Sequence, residues 1–251
     1  MEKSTLYAFI LSFLASISTL IGAFIIFFDK NKKKRVVVTS LSFASGVMIF
    51  VSIFDLIPNS YSIITFSNNN FIKILYMLIF LNIGILLSSI LDKKIESRES
   101  KLYKIGIINM FAIIMHNIPE GIATFITAKN NLKLGIIIST SIALHNIPEG
   151  ISIAVPIYHG TNSKKKALLY SFLSGISEMF GSILSYLFLY KLVNDNIMSM
   201  LYSLIAGIMI YISFFELLKT SIKISNNKKN VIISFIIGFL IMLLSHKLYI
   251  N

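Results

Sequence analysis

The chain has 251 residues, 55% of them hydrophobic and 14% charged, against about 25% charged in soluble domains. Eight membrane spans of about 20 residues would take roughly 160 positions and leave no room for a separate soluble catalytic or nucleotide-binding domain. No Walker loop, GxGxxG turn or zinc finger is present, which argues against ATP-driven chemistry, and the absence of cysteine excludes disulfides, thiolate ligands and redox-active thiols. The net charge of +12 sits in short lysine clusters between apolar runs, which suits anionic lipid headgroups rather than nucleic acid.

Apolar runs and the charges that interrupt them predict an all-α membrane protein with eight transmembrane helices, a single polytopic domain over 1–251. In chain order the runs cover 5–28, 36–57, 71–91, 105–128, 132–157, 167–190, 197–218 and 230–249. The first is too long for a signal-peptide core, and its basic flank follows the run rather than preceding it, so it is read as a retained span. The eighth is the weakest, its strongly apolar part ending near Leu244. Connections 1–2, 3–4, 5–6 and 7–8 carry 17 of the 23 Lys and Arg residues, which places them in the cytoplasm and both termini outside it. The 3–4 connection, 92–104, is the longest charged loop and holds no histidine.

Two internal repeats organise the chain. Span 4 holds His116-Asn117-Ile118-Pro119-Glu120-Gly121, and span 5 repeats the hexapeptide as His145-Asn146-Ile147-Pro148-Glu149-Gly150. A fainter match aligns 46–56 of span 2 with 207–217 of span 7, identical at six of eleven positions and acidic at the tenth in both, Asp55 and Glu216. Each matched pair runs in opposite directions. Spans 1–3 and 6–8 therefore read as inverted copies around a 4/5 pair, a symmetry typical of secondary transporters with a site near the midplane.

His116, His145 and Glu178 all fall near the centres of their spans. An ionisable group there costs about 2.5–3.5 kcal/mol on insertion scales, so three at one depth imply a shared polar site. Spacing of i and i+4 puts His116 with Glu120 and His145 with Glu149 on one face of their helices, with Asn117 and Asn146 bordering it. Pro119 and Pro148 free the carbonyls of Met115 and Leu144, so irregular backbone lining a cavity is expected. Imidazole, carboxylate and amide ligands without thiolate suit divalent transition metals. The glutamates would hold two adjacent cations, or one cation plus protons. Asp55 and Glu216, at opposite ends of the path, read as its two mouths. His159 and His246 read as peripheral.

At these residues the chain resembles the ZIP (Zrt/Irt-like) family of divalent-metal transporters, and its bacterial ZupT-like branch in particular. The resemblance covers essentially the whole chain and is carried by the two HNIPEG motifs. It implies a binuclear metal site from His116, Asn117 and Glu120, His145, Asn146 and Glu149, and Glu178. It also implies ATP-independent import of metal across the cytoplasmic membrane by alternating access, in members that are often dimeric. Two departures are visible: span 5 lacks the HExPHE pattern of the eukaryotic LIV-1 branch, having Asn146 and Gly150, and the 3–4 loop lacks the histidines many relatives use for sensing. A broad range of zinc, iron, manganese, cobalt and cadmium fits the mixed nitrogen and oxygen ligand set. The metals are the transported substrate, and no catalytic cofactor is expected. The rival readings are an intramembrane zinc metalloenzyme, for which neither HExxH nor a clear nucleophile is present, and a metal-binding membrane sensor.

Overall fold

The structure, a computed structural model, describes residues 2–29, 34–94, 100–189 and 194–250. Among them there is no strand, and eight helices are long and apolar enough to cross a membrane. These are α1 Lys3–Phe27, α2 Lys34–Ser62, α3 Asn70–Lys94, α4 Lys101–Asn130, α5 Leu132–Thr161, α6 Lys164–Phe188, α7 Asp195–Ile224 and α8 Lys228–Lys247. Each sits on one predicted run. Most are longer than their run, because a helix continues through the polar residues at its ends: α4 starts at Lys101, where the Ser100 side chain accepts from the Tyr103 amide. We call the side on which α1 begins and α8 ends the terminal face, and the opposite side the basic face.

α1, α4, α5 and α6 form a central bundle, flanked by the pairs α2/α8 and α3/α7. α3 and α8 are the least buried of the eight. They turn Phe71, Leu75 and Leu86, and Ile232, Ile237 and Leu244, outward, as a lipid-facing helix must.

The packing repeats itself in inverted form. A Cβ on Gly22 of α1 would fall on the Ile147 carbonyl of α5, and one on Gly150 of α5 on the Thr19 carbonyl of α1. The same reciprocal contact joins α4 and α6, through Gly121 against Glu178 and Gly181 against Ile118. It joins α2 to α8 through Gly46 and Gly238, and α3 to α7 through Gly84 and Gly207. Such contacts let backbones approach where lipid offers no hydrophobic drive for association. Between α2 and α7, Ser42 meets Ser221 and Ser60 meets Ser203, each pair 2.5 Å apart, and each is the counterpart of the other under the 2/7 alignment. That alignment also holds for the backbone: α2 opens into a π-helical turn over Val51–Leu56 and α7 over Ile212–Leu218.

The prolines behave differently from the sequence expectation. α4 and α5 remain α-helical through Pro119 and Pro148, and the widened turns fall instead where Asp55 and Glu216 sit. Close glycine packing on both sides of each proline holds the helix axis, so one missing hydrogen bond does not open the backbone.

Gly46→Ala and Gly238→Ala should each destabilise the protein by about 1–3 kcal/mol through overpacking. Each should lower the midpoint of thermal unfolding in detergent, whereas Ile232→Ala on the lipid side should leave it nearly unchanged.

Candidate metal centre

A one-residue turn sets the depth of the centre. Asn131 ends α4 and also caps α5, its side chain accepting from the Leu134 amide at 3.2 Å. His116 lies fifteen residues before Asn131 and His145 fourteen after it. At about 1.5 Å per residue the two motifs therefore stand side by side, roughly 20 Å from the turn. Glu178 reaches the same level from the other face, fifteen residues past Ser163, which caps α6 by accepting from the Lys166 amide.

The hydrogen bonds cross between the helices rather than running along them. His116 Nε2 donates to Glu149 Oε1 at 2.8 Å, with both side chains fully buried. His145 Nε2 lies 3.3 Å from Glu120 Oε1 and 3.4 Å from Oε2. This corrects the expected His116/Glu120 and His145/Glu149 pairs. In two antiparallel copies of one hexapeptide, each histidine faces the other copy's glutamate across a short gap. Along one helix, the i to i+4 partner stands a full turn away.

Asn146 Nδ2 donates to Glu178 Oε2 at 2.9 Å and to the Ala15 carbonyl at 3.1 Å. Asn117 Nδ2 donates to the Ser174 carbonyl at 3.1 Å. Both asparagines thus spend their N–H groups on protein and keep their oxygens unengaged. Asn117 Oδ1, Asn146 Oδ1, Glu149 Oε2, Glu178 Oε1 and the Nδ1 atoms of His116 and His145 are all buried without a hydrogen-bond partner in the structure. Six unpaired donor or acceptor atoms at one depth are costly in hydrocarbon, and most of them are Lewis bases. Among the described residues, no three His, Asp or Glu side chains stand as a closed metal-binding group. The candidate ligands are held as two ion pairs and a third carboxylate.

The two ion pairs differ in exposure. His145 and Glu120 line a cavity of about 250 Å³ that runs toward the terminal face, where Asp55, Asn59, Ser141 and His246 complete its wall. His246 Nδ1 and Asp55 Oδ1 are 2.6 Å apart at the outer part of this cavity. His246 is therefore not peripheral, as the sequence reading had it: α8 is long enough to bring it onto the end of α2. His159 does lie away from the centre, paired with Asp29 at 2.6 Å near the basic face.

Glu216 occupies the opposite end, against Asp92 and near Lys101 and Lys104. Asp92 accepts from Tyr211 Oη at 3.3 Å and pairs with Lys104 at 3.1 Å. Gly84, packed on α7, and Gly238, packed on α2, make equivalent contacts, and aligning α3 with α8 on these two glycines puts Asp92 where His246 stands. Asp55/His246 and Glu216/Asp92 are thus counterparts at the two faces. Sequence reasoning found one member of each.

An all-α, eight-span membrane protein with a buried nitrogen and oxygen donor set at mid-depth, reached from one face by a charged cavity, belongs to the class of membrane proteins that handle cations. Comparison with known proteins makes the class particular: residues 92–246 match the family model for the ZIP zinc transporter. The chain is 40% identical to the zinc transporter ZupT of Streptococcus mutans, with all of both chains covered. It is 36% identical to that of Clostridium perfringens over 99% of this chain and 98% of the relative. With the zinc transporter ZupT of Campylobacter jejuni the identity is 37%, over 95% and 94%. The chain belongs to the ZIP family.

Crossed pairing predicts the energetics of the centre in metal-free detergent. A double-mutant cycle on unfolding should give His116 and Glu149 a coupling of about 1 kcal/mol or more, and His116 and Glu120 a smaller one.

Proposed function

We propose that this protein is a secondary transporter that imports divalent metal ions across the cytoplasmic membrane, zinc foremost, with iron, manganese, cobalt and cadmium accepted by the same donors. The observation that carries this reading is the pair of antiparallel HNIPEG segments meeting at mid-depth, one ion pair lining a cavity and its counterpart sealed. The lysine-rich loops put the basic face in the cytoplasm and the termini outside, so the cavity faces the external medium.

A cation attracted at the outer mouth by Asp55 and His246 passes down the cavity to His145 and Glu120. There it displaces the histidine–carboxylate contact and takes the imidazole and carboxylate as ligands. Asn117, Asn146, Glu149, His116 and Glu178 provide the remaining donors, enough for two adjacent ions or for one ion and protons. Because imidazole must be neutral and carboxylate ionised to bind, protons compete with the cargo and promote its release. Rocking of the central bundle against the flanking pairs then seals the His145/Glu120 side and opens the His116/Glu149 side, and the ion leaves past Glu216 and Asp92. The mutual pairing of the candidate ligands suits a carrier, whose donors must satisfy one another after release without stranding charge. No covalent chemistry and no catalytic cofactor is required.

The test is zinc uptake into metal-free liposomes containing a zinc-sensitive dye. Wild type should give saturable uptake. Glu120→Ala and Glu178→Ala should each lower it at least as much as the about 10–100-fold that losing a supporting residue costs a metal site. Tight zinc binding without uptake by wild type would overturn the reading in favour of a metalloenzyme or sensor.

A further inference from the structure

The reciprocal contacts extend the repeat to α1 and α6, and the sequence carries it as well. Residues 12–22 and 171–181 agree at six of eleven positions: Ser12, Phe13, Leu14, Ile17, Ser18 and Gly22 recur as Ser171, Phe172, Leu173, Ile176, Ser177 and Gly181. Three contacts repeat in the same register. Asn146 donates to the Ala15 carbonyl as Asn117 donates to the Ser174 carbonyl, both at 3.1 Å. Gly22 packs on Ile147 as Gly181 packs on Ile118, and Gly150 packs on the Thr19 carbonyl as Gly121 packs on the Glu178 carbonyl. In this register the counterpart of Glu178, the third carboxylate of the centre, is Thr19.

We propose that Thr19 is a specificity-determining residue of the transport site, its hydroxyl serving as the neutral oxygen donor where full symmetry would put a fourth carboxylate. Glu178 is long enough to accept from Asn146 at 2.9 Å. Thr19 is too short to accept from Asn117 in the same way, and its Oγ1 is buried without a hydrogen-bond partner in the structure, as are the Oδ1 atoms of both asparagines. An unsatisfied buried hydroxyl costs about 1–3 kcal/mol, which valine at the same position would avoid. Thr19 is fully buried, and its side chain is turned to Gly175, one turn before Glu178, where an added Cβ would stand 3.3 Å from Thr19 Oγ1.

The consequence is a centre with two unequal halves. The α6 half has the Glu178 carboxylate, held by Asn146 Nδ2, and the neutral Asn146 Oδ1. The α1 half has two neutral oxygens, Thr19 Oγ1 and Asn117 Oδ1. Three carboxylates, Glu120, Glu149 and Glu178, cannot neutralise two divalent ions, so an ion in the α1 half is held less tightly and leaves more readily. Neutral oxygen donors also favour manganese over zinc relative to imidazole.

This inference rests on the proposed transport function, and the experiment separates the two. Uptake of Zn²⁺ and Mn²⁺ is measured in liposomes for wild type, Thr19→Val, Thr19→Ser and Thr19→Glu, each checked for folding by its thermal midpoint in metal-free detergent. Thr19→Val removes the hydroxyl at constant shape and should lower the Mn²⁺-to-Zn²⁺ uptake ratio by about 3–10-fold, the worth of one oxygen contact. Thr19→Ser should keep the wild-type ratio. Thr19→Glu restores the symmetric carboxylate and should lower both the KM for Zn²⁺ and the maximal rate, because release becomes slow. A Thr19→Val protein with the wild-type ratio overturns the inference, even if its thermal stability changes. If Thr19→Val does not fold, an unchanged KM in Thr19→Glu does the same. Wild type that moves neither ion defeats the transport reading instead.

Discussion

Ionisable side chains at the middle of a bilayer persist only when each is matched by another, and most of this architecture follows from that matching. Two histidines and two glutamates are paired across α4 and α5, not along them. Crossed pairing requires the two helices to be antiparallel, close and in register. The single-residue turn at Asn131 supplies the direction and register. Gly121 and Gly150 let the neighbouring helices α6 and α1 close around the pair. Asn117 and Asn146 tie the same two helices to it through their carbonyls. The outer pairs α2/α8 and α3/α7 repeat the device with glycine contacts and serine hydroxyls, forming a frame against which the central bundle is held.

Antiparallel duplication has a functional consequence that a single copy lacks. One copy's histidine and the other's glutamate form a half-site directed to one face, and the remaining two form a half-site directed to the opposite face. In this structure the His145/Glu120 half lines a cavity and the His116/Glu149 half is sealed. The ends of the bundle obey the same relation, Asp55 with His246 at one and Glu216 with Asp92 at the other. They differ in chemistry. On the cavity side a histidine stands with the carboxylate, whereas at the basic-face end a second carboxylate stands there, paired with Lys104. The fold is symmetric, and the chemistry at its two ends is not.

Much of this was legible in the sequence because polar residues stand out against an apolar background. Eight runs gave eight helices, and an exact hexapeptide repeat marked the centre. Asp55 and Glu216 were identified by their shared place in the 2/7 repeat. The crossed pairing was not legible, since spacing within a helix says which residues share its face and nothing about which helix that face meets. The inversion of spans 1–3 and 6–8 implied an α1/α6 relation, but its register, at six of eleven positions, was obscured by the change from Glu178 to Thr19 at the chemically important position. The same inversion implied an α3/α8 relation, but its register was beyond reach: 80–92 and 234–246 agree only at Ile83/Ile237, Gly84/Gly238 and Leu86/Leu240, too few to stand out among leucines and isoleucines. His246 and Asp92, which those helices bring against Asp55 and Glu216, were missed for that reason.

The chain has no native cysteine, so its two half-sites can be reported on without removing anything. Ser141 lines the open cavity and its counterpart Ala112 lies buried on the other half of the centre. Ser141→Cys, Ala112→Cys and the double variant would be reconstituted in liposomes and treated with a membrane-impermeant thiol reagent from one side at a time. Alternating access predicts that Ser141→Cys reacts from the external side alone and Ala112→Cys from the cytoplasmic side alone. In the double variant, a bulky reagent fixed at either cysteine should prevent reaction at the other. Both positions reacting together in one molecule would mean a continuous pore and contradict the account.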